Sequence, residues 1–388
     1  MNIKSKSLTG KVHSPKPERV GISEIDTAIE KMWSKFNTDI GKGRTVMRAC
    51  MSNLVIYCDN LEEAEEVGNE IAYIVEAHPA RVLLLIGGVQ PNAGNLEALV
   101  GIYYTALNDG WQVCAERIDV IASSIAIARL PSIARAQLIG DLPVTFWWAS
   151  RQPPPEAGEL FFQLTRLANQ VIYDNMGWPN PVKGVTAMTR WVAGQQDALI
   201  VHNLAWRRTA TWRKLLSQVF DPQSEPGALE NLNYIEVHHG PHALAMTWLL
   251  VGWLASRLEW KSVDGKAMSE SDLVWQFQSQ TQNIKIIVKR LPEGQPLIYH
   301  FLFDCSTAAR PYKICFERLD NERIGIVENL STVPARAFSA HVPARSALVA
   351  AQLGQRSRDK IFEHALKASN AMAGSFQQES MHHPVIPH

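Results

Sequence analysis

Arg81-Val82-Leu83-Leu84-Leu85-Ile86-Gly87-Gly88 carries apolar side chains on consecutive positions and then stops at a pair of glycines. A strand with one face in water alternates apolar and polar residues; a continuous apolar run belongs to a sheet covered on both faces, the habit of parallel α/β sheets. The flanks agree. Upstream, Asn53 to Cys58 reads as a strand, and Asn60 with Glu63 caps a helix running to His78, with Glu62 and Glu63 suiting its positive N-terminal end. Downstream, the pattern predicts a helix near Leu96 to Leu107, a strand Gln112 to Val120 and a helix broken at Pro131. A strand Pro143 to Trp148, a helix near Leu160 to Ala168 and a strand Val171 to Tyr173 follow. A helix within Asn203 to Asp221, a strand Tyr234 to Val237 and an apolar helix opened by Pro241 continue the series. Repeated strand–helix units predict an α/β fold with a largely parallel sheet and covering helices.

Beyond Ser269 the period changes to two, at Leu273, Trp275 and Phe277 and again at Ile284, Ile286 and Val288. Strands at Leu297 to Phe303, Lys313 to Arg318 and Arg323 to Val327, with a turn at Asp320-Asn321, complete an expected antiparallel meander. A long helix near Ala344 to Met372 closes the fold. At the other end, Ile22, Ile25, Ile29, Met32, Trp33 and Phe36 recur at helical spacing, with Ser23 and Asp26 placed as a capping box. The clearest break is Pro153-Pro154-Pro155 followed by Gly158. It divides the chain into an extension with one amphipathic helix (1–40), an N-terminal α/β domain (41–160), a C-terminal α/β domain with the meander (161–375) and a tail (376–388) expected to be disordered.

At 388 residues, 46% hydrophobic and 20% charged, the composition is globular. Lys plus Arg equals Asp plus Glu at 38 each, so no overall field draws the chain to nucleic acid or anionic membrane. Twelve tryptophans tilt the reading toward a binding protein. Five cysteines, odd in number and without CxxC spacing, exclude a secreted disulfide framework, a zinc ribbon and a thioredoxin-type motif, and point to a reducing cytoplasm. The opening residues lack the apolar core of a signal peptide, and the apolar run Ala243 to Ala255 is too short to span a bilayer.

Asn203 to Asp221, NLAWRRTATWRKLLSQVFD, places Trp206 and Trp212 beside Arg207, Arg208 and Arg213. Arginine next to indole serves recognition by stacking and bidentate pairing; it equally serves a core whose tryptophans lie under arginine stems. The segment resembles the signature of the OpcA family, the glucose-6-phosphate dehydrogenase assembly proteins. His78-Pro79-Ala80-Arg81, Leu142-Pro143-Val144 running into Phe146-Trp147-Trp148, and Arg358-Asp359 followed by Ala365-Leu366 are similar to family segments in the same order. Asn203 stands where the family pattern has an acidic residue. The resemblance implies a non-catalytic, cofactor-free protein that binds and activates the homo-oligomeric dehydrogenase at the entry to the oxidative pentose phosphate pathway. Its expected contact surface is Trp206, Arg207, Arg208, Trp212 and Arg213, joined by Trp147 and Trp148 if these lie at an exposed strand end. Thioredoxin enters as a further partner because cyanobacterial members are linked to its control, which raises Cys305 and Cys315 as a redox pair. A simple hairpin sets Cys315 opposite Leu302 and holds the two sulfurs apart, so free thiols are the simpler expectation.

The residues themselves offer no catalytic set. Gly87-Gly88 follows a strand, where α/β folds bind ligands, but there is neither GxGxxG nor GxxxxGK[ST]. Gly41-Lys42-Gly43-Arg44-Thr45 precedes a strand, the wrong context. Glu236 and His238 share a strand face, and His239 and His242 lie close by, yet their spacing matches no metal motif. His382, His383 and His388 have no framework, and no GxSxG or Cys–His pattern appears. The alternative to a partner protein is an enzyme or sensor that grips a sugar phosphate beyond Gly87-Gly88, with Arg81 or the signature arginines as forks.

Overall fold

The computed structural model describes residues 16–39, 45–48, 50–92, 94–107, 110–195, 199–221, 223, 227–307, 311–328 and 336–377. The glycine-rich segment 41–44 and the tail from 378, with His382, His383 and His388, lie outside the described residues.

The first sheet holds β1 (Glu18–Val20), β2 (Thr45–Arg48), β3 (Ser52–Cys58), β4 (Ala80–Ile86), β5 (Leu96–Leu107), β6 (Gly110–Ala122), β7 (Val144–Trp148), β8 (Gln170–Tyr173) and β9 (Ile200–Asn203). Its order is β1-β5-β6-β4-β3-β7-β8-β9, with β2 beside β6. From β6 to β9 every neighbouring pair is parallel, so the doubly covered sheet expected from Arg81 to Ile86 is present. β5 is a correction: Leu96 to Leu107 forms a strand antiparallel to β6, not a helix. Ala98, Val100 and Ile102 are buried at alternate positions, and a run of Val, Ile, Tyr and Thr favours the pleated state over the helical spacing of its leucines. The polyproline at 153–155 falls between β7 and β8, two adjacent strands of this one sheet.

Helices cover both faces. α1 (Ile25–Asp39) docks on its own chain through Ile25, Ala28 and Ile29, starting after a short 3-10 turn that Glu24 caps by accepting the Gly21 N–H at 2.9 Å. α2 (Leu61–Ala77) starts at Asn60, whose side chain accepts the Glu63 N–H. α3 (Leu130–Gln137), α4 (Glu159–Thr165) and α5 (Pro181–Ala193) follow. The signature stretch is two helices, α6 (Leu204–Arg208) and α7 (Ala210–Val219), broken at Thr209.

The second sheet runs β11-β12-β13-β10-β14-β15-β16-β17. Its members are β10 (Tyr234–His239), β11 (Lys261–Ala267), β12 (Asp272–Gln278), β13 (Asn283–Arg290), β14 (Ile298–Asp304), β15 (Lys313–Arg318), β16 (Arg323–Glu328) and β17 (Arg336–Ser339). The meander is therefore interrupted: β10, expected in the parallel part, pairs parallel with β13 and antiparallel with β14. One face of this sheet presents Ile235, Val237, Ile286, Phe301, Phe303 and Phe316 to α7, α8 (Leu244–Arg257) and α10 (Lys360–Gln377) in one core. The closing helix is also two, α9 (Arg345–Leu353) and α10, separated because Gly354 ends one and Asp359 caps the other. α10 lies against α8 closely enough that a Cβ on Gly252 would meet the Ala365 carbonyl oxygen at 2.6 Å.

Candidate functional site

Counted along the chain, β3, β4, β6, β7, β8 and β9 stand in the order 3-2-1-4-5-6. Strand order reverses between β3 and β7, and in open α/β sheets ligands bind in the crevice beyond the carboxyl ends at such a switch point. That architecture implies a nicotinamide dinucleotide, with its pyrophosphate on the N-terminal end of the following helix.

The residues present do not fit one. The β3–α2 turn is Asp59-Asn60 where a dinucleotide site has glycines. Glu63 folds back over the end of α2, its carboxylate accepting the backbone N–H groups of Asp59 at 2.9 Å and Arg151 at 3.1 Å. Asp59 accepts the hydroxyls of Tyr57, at 2.8 Å, and Ser150. Two carboxylates thus take the place and the donors that phosphate would use. Burial pushes the Glu63 carboxyl above its usual range, although two backbone N–H groups oppose this. The neighbouring loop is filled as well: a Cβ on Gly87 would lie 2.6 Å from both the Tyr57 hydroxyl and Ile127 Cδ1.

A groove of about 640 Å³ opens beside α2, lined by Leu61, Ala64, Tyr103, Arg117 and Asp119. It exists because the link from β4 to β6 is the hairpin strand β5, so no crossover helix packs there. Its cation is satisfied internally: Arg117 donates to both oxygens of Asp119, at 2.7 and 2.8 Å, and to the Tyr103 hydroxyl at 2.7 Å.

The tryptophans of the expected contact surface are not exposed. Trp147 and Trp148 lie on the central strand β7 and are 1% and 0% exposed; Trp206 and Trp212 are each 2% exposed. These indoles are core. Trp206 donates its Nε1–H to Asp359 at 2.8 Å, and its ring meets Phe362. The Arg213 guanidinium lies 3.2 Å over the Trp206 ring and donates to the Trp206 carbonyl at 2.8 Å. Burial lowers the Arg213 pKa to about 10, with Asp359 opposing. Arg207 donates to Gln352, and Arg208 pairs with Asp174. Asn203 caps α6 by accepting the Trp206 N–H at 2.7 Å, a task that needs an acceptor and no charge. The signature is a lock joining β9 and α6 to the α9–α10 junction. Sequence reading had both halves, Trp206 and Arg358-Asp359, but nothing in their spacing shows that they touch.

The arginines offered to a sugar phosphate are likewise engaged. Arg81 sits at the amino end of β4, away from Gly87, where it bonds Glu116 at 2.6 Å and the Gln137 carbonyl at 3.0 Å. Cys315 lies opposite Leu302, the register expected, while Cys305 joins Phe301 and Phe303 in the core. The two side chains leave one sheet on opposite faces and neither sulfur is in a disulfide, an arrangement that does not bring them together as a bridged pair. Glu236 and His238 do share a face, 2.7 Å apart, but His239 points into the core with Nδ1 2.7 Å from the Gly240 carbonyl oxygen. The ring that joins Glu236 and His238 is His300 of β14, stacked on His238 at 4.5 Å, not His242.

Two family models match. One, described as the N-terminal domain of the glucose-6-phosphate dehydrogenase subunit, covers residues 72–190; the other, its C-terminal domain, covers 200–366. A protein of Nostoc punctiforme, provisionally named OxPP cycle protein OpcA, is 31% identical over 39% of this chain and 31% of its own length. One of the same name from Synechococcus elongatus is 23% identical over 76% of this chain and 67% of its own length. The matched part thus spans about a third of the first relative and two thirds of the second. A solved glucose-6-phosphate dehydrogenase bound to glucose 6-phosphate is 10% identical, covering 87% of this chain and 93% of that one, with a TM-score of 0.44. Among the described residues no helix is long and apolar enough to cross a membrane.

Proposed function

Because the chain belongs to the OpcA family, we propose that it is a non-catalytic assembly factor and allosteric activator of a glucose-6-phosphate dehydrogenase oligomer, acting in the oxidative pentose phosphate pathway. The family models support the association, since both describe domains of the dehydrogenase subunit. The observation that carries the non-catalytic half is Glu63. Its carboxylate holds the backbone donors at the switch point that a cofactor pyrophosphate would need.

Activation by such a protein is thermodynamic: it binds the substrate-competent conformation of the dehydrogenase more tightly and so enlarges that population. A preference of about 1–3 kcal/mol tightens sugar-phosphate binding roughly 5- to 150-fold. A cytoplasmic setting belongs to the same proposal, supported by Cys50, Cys58, Cys305 and Cys315 being outside any disulfide; a thioredoxin step acting on Cys305 and Cys315 does not.

The test is the glucose 6-phosphate saturation curve of the same organism's dehydrogenase, with and without this protein, beside calorimetric titration of the protein alone with NADP. A leftward shift or a higher plateau, with no heat of NADP binding, is the expected result. An unchanged curve without co-elution on a sizing column refutes the activator; NADP binding to the isolated chain refutes the closed crevice.

A further inference from the structure

The face of the second sheet opposite its core carries a cluster that neither the signature nor the proposed activity uses. Strand register aligns His238 of β10, His300 of β14 and Glu317 of β15 in one row, and Glu236, Leu302 and Cys315 in the next. His300 and Cys315 are therefore diagonal neighbours on one face. His300 Nδ1 lies 3.3 Å from Cys315 Sγ and 3.5 Å from Glu317 Oε1, and Cys315 Sγ lies 3.7 Å from Glu317 Oε1. Zinc bound tetrahedrally by nitrogen, sulfur and oxygen at ordinary bond lengths sets these donors about 3.4–3.6 Å apart. The three separations are the edges of one face of that tetrahedron.

We propose that His300, Cys315 and Glu317 form a zinc site with a fourth position left for water or a partner's donor. The donor set is right for a borderline-soft cation, imidazole with thiolate and carboxylate. Space is available beside it, since the β16 residue paired with Glu317 is Gly325. Glu236 is excluded from the first three ligands because Lys289 already holds its Oε1 at 2.7 Å. Glu236 and His238 instead border the site, each with a donor atom within 4.8 Å of one His300 nitrogen. On binding, Cys315 gives its thiol proton to solvent and coordinates as thiolate, with no change in oxidation state.

Titration of the full chain with Co²⁺, followed by zinc displacement, tests the site. The expected result is one equivalent of cobalt giving a thiolate-to-cobalt charge-transfer band that zinc abolishes. His382, His383 and His388 can also take up metal, but imidazole does not give that band. Cys315→Ser should remove it, His300→Ala should weaken cobalt binding by at least about 100-fold, and Glu317→Gln, on a half-exposed side chain, by about 10-fold or more. Glu317→Gln leaves the core untouched, so its loss of affinity cannot be blamed on unfolding. No band, a band that survives Cys315→Ser, or unchanged affinity in His300→Ala or Glu317→Gln overturns the assignment.

Discussion

Replacing Asp359 by alanine attacks the lock between the signature helix and α10 at its most connected atom group. Asp359 Oδ2 accepts the Trp206 indole N–H at 2.8 Å, and Oδ1 accepts the Phe362 N–H at 3.0 Å as the cap of α10. It is also the carboxylate that opposes the burial of Arg213. A buried hydrogen bond to a charged acceptor contributes about 1.5–3 kcal/mol, and an aspartate cap about 1 kcal/mol. Asp359→Ala should therefore cost about 2.5–4 kcal/mol, read as a lower urea midpoint at unchanged m-value. Trp206→Phe removes the donor together with part of the buried ring and should cost about 2 kcal/mol or more, and the double variant should show a coupling of about 1–2 kcal/mol, since both changes break the same bond. Coupling below about 0.5 kcal/mol would refute the lock. The cycle also separates this account from a recognition surface: at a temperature where Trp206→Phe is folded, activation of the dehydrogenase should match the wild type. A weakened complex from a fully folded variant would return the signature to the interface.

Acid should act through His202, which is buried with Nε2 3.1 Å from the Gln355 carbonyl oxygen and whose pKa burial lowers from 6.5 to about 4. Below about pH 6.5 the unfolded chain takes up a proton that the folded histidine refuses. Stability therefore falls with pH down to about 4, by about 2 kcal/mol at pH 5, and His202→Gln should flatten that slope in urea titrations between pH 7.5 and 5. Gly87→Ala forces its Cβ against Ile127 and the Tyr57 hydroxyl and should cost about 1–3 kcal/mol, with Ile127→Val recovering part of it in thermal melts. Oxidation of the native protein should leave Cys305 and Cys315 unbridged, checked by peptide mass mapping without reductant; a bridged peptide would contradict their placement on opposite faces.

Fold class was legible because the signal was local. The apolar run of β4, the Asn60 cap and the period-two strands each declare themselves within a few residues. The strand character of β5 was not legible locally, because only pairing along β6 turns alternate positions inward. The partners of β10 were not legible for a related reason: a strand does not carry the identity of its neighbours. The site failed differently. Tryptophan with arginine is equally apt for a surface or a core, and Asp359, which makes it core, lies 153 residues from Trp206. His300, Cys315 and Glu317 escaped because their proximity comes from hairpin register, whereas metal motifs are read from spacing along one element.

The lock also sets a timetable for synthesis on the ribosome. All strands of the first sheet are available by Asn203, yet the helices that cover Ile172 and Leu204 and meet Trp206 come from residues 345–377. Until those residues emerge, a nearly complete sheet stands with apolar flanks in water. Over more than a hundred residues of translation the growing chain would therefore expose the kind of apolar surface that holding chaperones recognise, and a ribosome stalled before Asp359 would display a sheet without its seal.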